Sequence, residues 1–589
     1  QSHEAAWEES VIAGTAAYLR TGTNTIAIQV INQGLGSGDL SIDAELKTPP
    51  PGSSLGAPSP GGPNANFTTI PPPQIRQVKH TPEQPKSGAE VTISAKISDP
   101  LGVESVSLSY QLVGPGSYVR LTDSAYENGW TDLPMRDDGT GGDVEANDDR
   151  FTVVIPSAVQ IHRGIIRYRI TANDLGGSSV TAPLFDDPQP NFAYFCYDGV
   201  PSWTAAAQPG STAPETFSPE VLESVPVYHL LATASDVANC QFSSGSRNTR
   251  FPGTMVYEGR VYDHIRFNVR GEGSTYRTGK NKWHFRFNRG HEFEARDNFG
   301  KKVGLPWRNM KVNGGTAPWT YVNRGMAGVD ECITYRLFDL AGVPSSRTSY
   351  FHLRVIDEQQ EQSPSDQYRG DLWGLYHSVE VPSGRFLDDR GLPDGNVYKL
   401  DAESQQDNQG ADEPKGPADF NAIRSLMNTG RSQSWWAENI DINTYGRFKA
   451  VAEAVTHYDQ RDGRQGYYYH NPESGKWTLM PWDCDTMFQL TPKYYTWDRV
   501  RLCIDQRYPR NFLIARNEQR EVLDLLFNEK AVDTVLEELV DIVNPAGQPL
   551  TLADMDLFAW DYHPRTPGQF KGSYNVLTGS SNPASRWYT

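Results

Sequence analysis

The chain has 589 residues, a hydrophobic fraction of 37%, 11% aromatics and a formal net charge of −18. That length calls for several domains, and the apolar content builds real cores, which excludes wholesale disorder. The acidic balance argues against nucleic acid as a main partner, and no run approaches the roughly 18 apolar residues of a membrane span.

The chain opens Gln1-Ser2-His3 without Met and shows no signal-peptide pattern, so a processed or truncated product is expected, with its targeting segment outside the sequence. Residues 1–48 read as the C-terminal part of a β-sandwich, because Thr25 to Val30 alternate and then turn through glycines into a second short strand. Residues 49–73 form a Pro/Gly-rich linker without periodic apolar positions. Residues 74–185 read as an immunoglobulin-like or fibronectin-like β-sandwich, with strands at "EVTISAKIS", "VESVSLSYQL", "FTVVIP" and "IIRYRITAND". Inside it, Asp137, Asp138, Asp143 and Asp148 lie on a Gly-rich loop. Such oxygen ligands suit a hard cation, so Ca²⁺ is a candidate there, against a plain solvated acidic turn.

A second linker is expected over 186–224. From 225 to 589 the composition shifts to aromatic-rich strands followed by amphipathic helices, the last of them over 517–543. Two hydrophilic insertions, 357–369 and 402–417, read as lids or surface loops. Five widely spaced cysteines show no metal-ligand spacing; buried free thiols are expected, a single bridge being the alternative.

The stretch 261–288 carries the strongest chemical pattern. With a strand's period of two, Ile265, Phe267 and Val269 share one face while His264, Arg266, Asn268 and Arg270 share the other. In the second arm Trp283, Phe285 and Phe287 oppose Lys280, Lys282, His284 and Arg286. The connecting loop holds Gly271, Gly273 and Gly279, where backbone N–H groups can approach an anion closely. A hairpin with one apolar face, one basic face and a Gly-rich tip suits a polyphosphate; a solvent-facing basic strand pair is the bland reading. Farther on, the apolar run at 476–482 ends in Asp483 and Asp485, which in extended chain project from one face as a natural Mg²⁺ site. Asp459 and Asp462 stand in a loop before a Tyr-rich strand, where spacing alone favours solvated acids.

"RFNVRGEGSTYRTGKNKWHFRF" resembles the strand pair that opens domains of the spore-coat protein H (CotH) kinase family. In the family's order follow "YVNRGMAGVDECITYRLFDLAGVPSSRTSYFHLRV", "LWGLYHSVEVPSGRFL", "GNVYKLD" and "GYYYHNPESGKWTLMPWDCD". After the all-β sandwich modules read from the strand pattern, the resemblance implies an α+β atypical protein-kinase-like domain with C-terminal helices. It implies an enzyme that moves the ATP γ-phosphate to Ser or Thr of a protein, using Mg²⁺ or Mn²⁺; a secreted or cell-surface bacterial setting is expected from the sandwich modules and linkers. Its partner is then a protein substrate or a surface-assembly partner. The alternative is a catalytically inactive structural or adhesive surface protein that retains the fold. Carried over, Arg270, Lys280 and Lys282 contact phosphates and Glu380 holds a phosphate-binding lysine. Asp459 sits near the accepting hydroxyl, and Asp483 with Asp485 binds the metal. Two positions depart from the pattern. Lys280-Asn281-Lys282 replaces Lys-Lys, and Gln465 stands where a metal-binding Asn is common.

Overall fold

The computed structural model describes residues 71–243, 248–271, 279–315, 327–400, 405–427, 430–457, 466–485, 487–488, 499–565, 574–575 and 580–581. The expected hairpin within 1–48 and most of the linker 49–73 lie outside these residues.

The strand-rich N-terminal region holds β1 (Gln74–Thr81), β2 (Val91–Ser98), β3 (Val103–Val113), the short helix α1 (Ser124–Asn128), β4 (Thr131–Pro134), β5 (Arg150–Ile155), β6 (Gly164–Asp174), β7 (Ser179–Ala182) and β8 (Phe192–Cys196). One antiparallel sheet runs β1-β2-β5, the other β4-β3-β6-β7 with β8 on β6. Alternation places Val91, Ile93, Ala95 and Ile97 of one sheet in a single core with Leu108, Ile166, Tyr168 and Ile170 of the other.

The linker expected over 186–224 is a correction. Its first half is β8, paired along its length with β6, and its second half is a hairpin of β9 (Trp203–Ala206) and β10 (Pro214–Phe217) followed by α2 (Pro219–Leu222). Its aromatics outweigh its Pro, Gly and Ser: Tyr194, Phe195, Trp203 and Phe217 are all buried, the last three in a core that continues into the C-terminal region.

A closed barrel follows. It comprises β11 (Val227–Leu231), β12 (Phe251–Tyr257), β13 (Arg260–Arg270), β14 (Lys282–Arg286), β15 (Asn309–Asn313), β16 (Thr348–Ile356) and β17 (Leu372–Val379), in the order β11-β12-β13-β14-β15-β17-β16. Helix α3 (Ala234–Phe242) connects β11 to β12, and α4 (Val329–Leu340) lies between β15 and β16. Ile265, Phe267, Val269, Trp283, Phe285, Met310 and Val312 fill the interior, as the alternation of the 261–288 stretch predicts.

After α5 (Gly384–Asp389) comes a second sheet. It contains β18 (Val397–Leu400), β19 (Gln405–Asn408), β20 (Gly466–Asn471) and β21 (Lys476–Pro481) in the order β19-β18-β20-β21. Around it lie α6 (Ala418–Leu426), α7 (Gln433–Asn439), α8 (Ile442–Ala454), α9 (Pro509–Leu526), α10 (Glu529–Val543) and α11 (Leu552–Trp560). The amphipathic run 517–543 is thus the end of α9 plus α10. Helix α11 is buried on every side and starts with a reciprocal Thr551–Asp554 capping box. It seats on β17 at Gly374, where a Cβ would lie 2.5 Å from Asp556 Oδ1 and 2.8 Å from Trp560 Nε1.

The N-terminal unit docks on the barrel through buried charge. Arg167 on β6 donates to Asp263 on β13 at 2.7 and 3.0 Å, both side chains being fully buried. Arg163 donates to Asp371 at 2.8 Å and to the backbone carbonyls of Gln359 and Glu358 at 2.8 and 3.0 Å, and His162 meets Glu361 at 2.9 Å. The 357–369 insertion is therefore part of the docking surface and neither a lid nor a bare loop. Among the described residues no helix is long and apolar enough to cross a membrane. All five cysteines are free and buried, and burial pushes the Cys240 and Cys332 thiols up to about 12, which leaves them unreactive.

Candidate functional site

The face of β13, β14 and β15 that turns away from the barrel core carries the polar half of the alternation. Register sets Arg270 opposite Lys282, Asn268 opposite His284 and Arg266 opposite Arg286, and His284 opposite Lys311 on β15. His264 leaves this row: its backbone is left-handed (φ 53°) beside an irregularity in the β12–β13 pairing, and its ring reaches Asn191 at 2.8 Å in the docking surface.

Lys282 is the centre of the cleft between barrel and second sheet. Its ammonium donates to Asp485 Oδ2 at 2.6 Å, and Asp483, Arg270 and Glu331 lie within electrostatic reach. Burial pulls this ammonium down, but Asp485 and then Asp483 pull it up further, so it stays charged above the usual lysine range. The aspartates reach it by a turn rather than by strand alternation. Strand β21 stops at Pro481, Asp483 is left-handed (φ 58°), and its N–H donates to Tyr335 Oη on α4 at 3.1 Å. An unfavourable backbone held at a pair of carboxylates is the kind of strain that a surrounding site imposes.

Arg270 lies over the Trp482 ring at 5.8 Å and donates to Asn313 Oδ1 at 2.7 Å. Asn313 in turn donates through Nδ2 to both oxygens of Glu331 at 2.7 and 2.6 Å, and His377 Nε2 donates to Glu331 at 2.8 Å. Glu331 sits in the first turn of α4, where a carboxylate suits the helix N-terminus. Sequence reasoning missed Glu331, Asn313 and His377. A signal existed, since Glu331 is a charge flanked by Cys332, Ile333 and Tyr335 on a helix that is buried along most of its length.

Two residues predicted for phosphate handling stand elsewhere. Lys280 turns the other way from Lys282: it is buried against Asp556 of α11 at 2.7 and 2.8 Å, donates to the Leu375 carbonyl and sits 4.5 Å from the Tyr376 ring centre. Burial lowers its ammonium below the usual range, with Asp556 acting against it. It is a peg between barrel and α11. Glu380, expected to hold a lysine, pairs with Arg390 at 2.7 Å and accepts from the Arg347 N–H at 3.1 Å. It lines a cavity of about 300 Å³ together with Trp307, Asn309, Val381, Ser383 and Asn408, at the Asn309 end of β15. Asp459, Asp462, Gln465 and Gly273 lie outside the described residues.

In the N-terminal loop Asp137, Asp143 and Asp148 bring carboxylate oxygens within 4.8 Å of one another. Asp138 does not join them; it accepts from Thr140 N and Oγ1 at 3.0 and 2.6 Å and faces Arg136.

The model of the family described as "CotH kinase protein" matches residues 267–541. No curated protein matches the chain. Among solved structures, a GH family 64 laminaripentaose-producing beta-1,3-glucanase from Paenibacillus barengoltzii is similar at 11% identity over 46% of this chain and 72% of that one. The TM-score of that pair is 0.12. The matched residues include the end of the first arm of the basic hairpin from Phe267, the whole second arm, α4, and the two aspartates after β21. The chain therefore carries a domain of the CotH kinase protein family, and the cleft around Lys282 lies within it.

Proposed function

We propose that this chain is a nucleotide-dependent phosphotransferase of the CotH type, moving the terminal phosphate of ATP to a Ser or Thr hydroxyl of a protein. The observation that carries the reading is the 2.6 Å pair of Lys282 with Asp485, with Asp483, Arg270 and Glu331 beside it. Phosphoryl transfer asks a protein mainly for positioning and charge neutralisation, and this cluster supplies both signs of charge at one place. Asp483 and Asp485 are hard oxygen donors on one turn and would hold Mg²⁺ or Mn²⁺. That ion supplies neutralisation of the phosphate oxygens. Lys282 and Arg270 orient the transferred group, and the Glu331–Asn313–Arg270 chain of hydrogen bonds holds the guanidinium in place. Asp459 is assigned to the accepting hydroxyl through the family resemblance.

On this reading the barrel, α4, the second sheet and the helices form the two halves of a divergent protein-kinase-like α+β fold. The N-terminal unit is an immunoglobulin- or fibronectin-like sandwich, and the setting is a secreted or cell-surface one. The test is incubation of the full chain with γ-labelled ATP and Mg²⁺ or Mn²⁺. Label on the chain itself or on an added Ser-rich protein is the expected result. Absence of both label and nucleotide binding leaves a structural surface protein.

The sandwich loop is assigned to Ca²⁺ through Asp137, Asp143 and Asp148. Calcium added to chelator-treated protein then raises the first melting transition, by mass action on the folded state. An identical melt with calcium and with excess chelator removes the assignment.

A further inference from the structure

Lys311 is a cation that this reading leaves without a role. Along β15 the side chains of Asn309, Lys311 and Asn313 share the cleft face, because Met310 and Val312 point into the barrel. Asn313 belongs to the Glu331–Arg270 chain, and Asn309 lines the 300 Å³ cavity. Lys311 lies between them, and among the described residues its ammonium has neither a hydrogen bond nor an ion pair. Among the described residues, the ionisable groups that act on it are Arg270 of β13, His284 and Arg286 of β14, Lys399 of β18, and the carboxylate of Asp407 on β19.

Asp407 belongs to the hydrophilic insertion 402–417. The described part of that insertion is ordered rather than loose. Asp407 accepts from Tyr467 Oη at 2.9 Å and from Gln405 Nε2 at 2.5 Å, Glu413 meets His470 at 2.9 Å, and Asn408 is tied to Asp394 and the Gly395 carbonyl at 3.0 and 2.9 Å. The insertion thus forms a wall of the cleft, with Asn408 at the cavity and Asp407 facing Lys311 and Lys399. Asn309 to Asn313 spans about 13 Å of strand, a length that a nucleoside triphosphate can follow from base to terminal phosphate.

We propose that Lys311 takes a phosphate of the bound nucleotide, with Lys399 beside it, and that Asp407 is the internal counter-ion of Lys311 before nucleotide binds, so that strand β19 sets nucleotide affinity. This rests on the nucleotide-dependent reading above. Among the described residues Asp407 is the carboxylate whose charge acts on the Lys311 ammonium, against the cations of Arg270, Lys399 and Arg286. Burial first, then Arg270 and Lys399, lowers the Lys311 ammonium to about 7, with only Asp407 acting against them. An incoming polyphosphate restores the proton, so binding takes up protons above neutrality and weakens as the pH rises through about 7.

The test is calorimetric titration of the full chain with Mg·ATP and with inorganic tripolyphosphate at about pH 8, in two buffers of different ionisation heat. Wild type is expected to bind both and to take up protons. Lys311→Met binds about tenfold more weakly and takes up fewer protons, as loss of a charge-assisted contact requires. Lys311→Arg keeps the affinity but loses the uptake, which a merely structural lysine would not show. Asp407→Asn binds both anions more tightly, by several-fold. If wild type binds neither anion, both the nucleotide reading and this inference fall. If wild type binds but Lys311→Met matches it in affinity and proton uptake, or Asp407→Asn gains nothing, the inference falls and the nucleotide reading stands.

Discussion

Asp483→Asn is expected to lower the rate of label transfer from ATP by on the order of 100-fold or more while leaving the melting profile close to wild type, because it removes a carboxylate that would hold the metal ion neutralising the phosphate. Asparagine is the suitable replacement, since it tolerates the left-handed backbone at this position (φ 58°), which alanine does not. The amide keeps the size of the side chain but no longer neutralises a cation. Asp485→Asn has a second consequence: it takes the carboxylate from the 2.6 Å pair and leaves Lys282 buried without its direct partner, so both activity and stability fall. The two variants together separate the roles. Initial rates at saturating ATP and Mg²⁺, with a thermal melt of each variant, decide the matter. An Asp483→Asn rate within a small factor of wild type would remove this aspartate from the transfer chemistry.

Arg167→Met is expected to cost about 3–5 kcal/mol, because it leaves the Asp263 carboxylate buried and unpaired. Asp263 is surrounded on all sides. Besides Arg167 it accepts from Thr254 Oγ1 at 2.5 Å, Asn191 Nδ2 at 2.9 Å and the His264 N–H at 2.9 Å. Burial alone would raise this carboxyl, yet Arg167 and then His264 overcome it and hold it well below the usual carboxylate range. A depressed folded-state pKa contributes stability that is fully present above the unfolded value, about 3.9, and is lost as the pH falls toward the folded one. Wild type therefore keeps its docked N-terminal unit at neutral pH and into mild acid. In Arg167→Met the sign reverses, since an unpaired buried carboxyl is raised by desolvation, and stability improves as the pH falls. Denaturant melts of both proteins at neutral and mildly acidic pH, with limited proteolysis of the 186–224 segment as a second readout, test this. Equal midpoints across that range would show that the pair contributes no net stability.

Much of the local structure was legible in the sequence. A period of two has one physical consequence in a sheet, which is that alternate side chains face opposite ways. Ile265, Phe267, Val269, Trp283 and Phe285 accordingly fill the barrel, and Arg270, Lys282, His284 and Arg286 line its polar face. The same reasoning located β2, β3, β5 and β6 of the N-terminal region and the helices over 517–543. The ordered segments from the basic hairpin to Asp485 were enough to indicate the CotH family.

What the tertiary structure decided is which charge meets which. Lys280 and Lys282 have the same parity and similar neighbours in sequence, but one reaches Asp556 and the other Asp485, 276 and 203 residues away. Glu380 looked like the lysine's acid and turned to Arg390, while Glu331, on a mostly buried helix, is the carboxylate beside the cleft. The aromatic content of 192–217 could have cautioned against a linker, but burial of those rings needs β6 and α11 as partners. Periodicity determines which way a side chain points from its own strand. It carries no information about what the chain brings to meet it hundreds of residues later, and a charged side chain takes its role from that encounter.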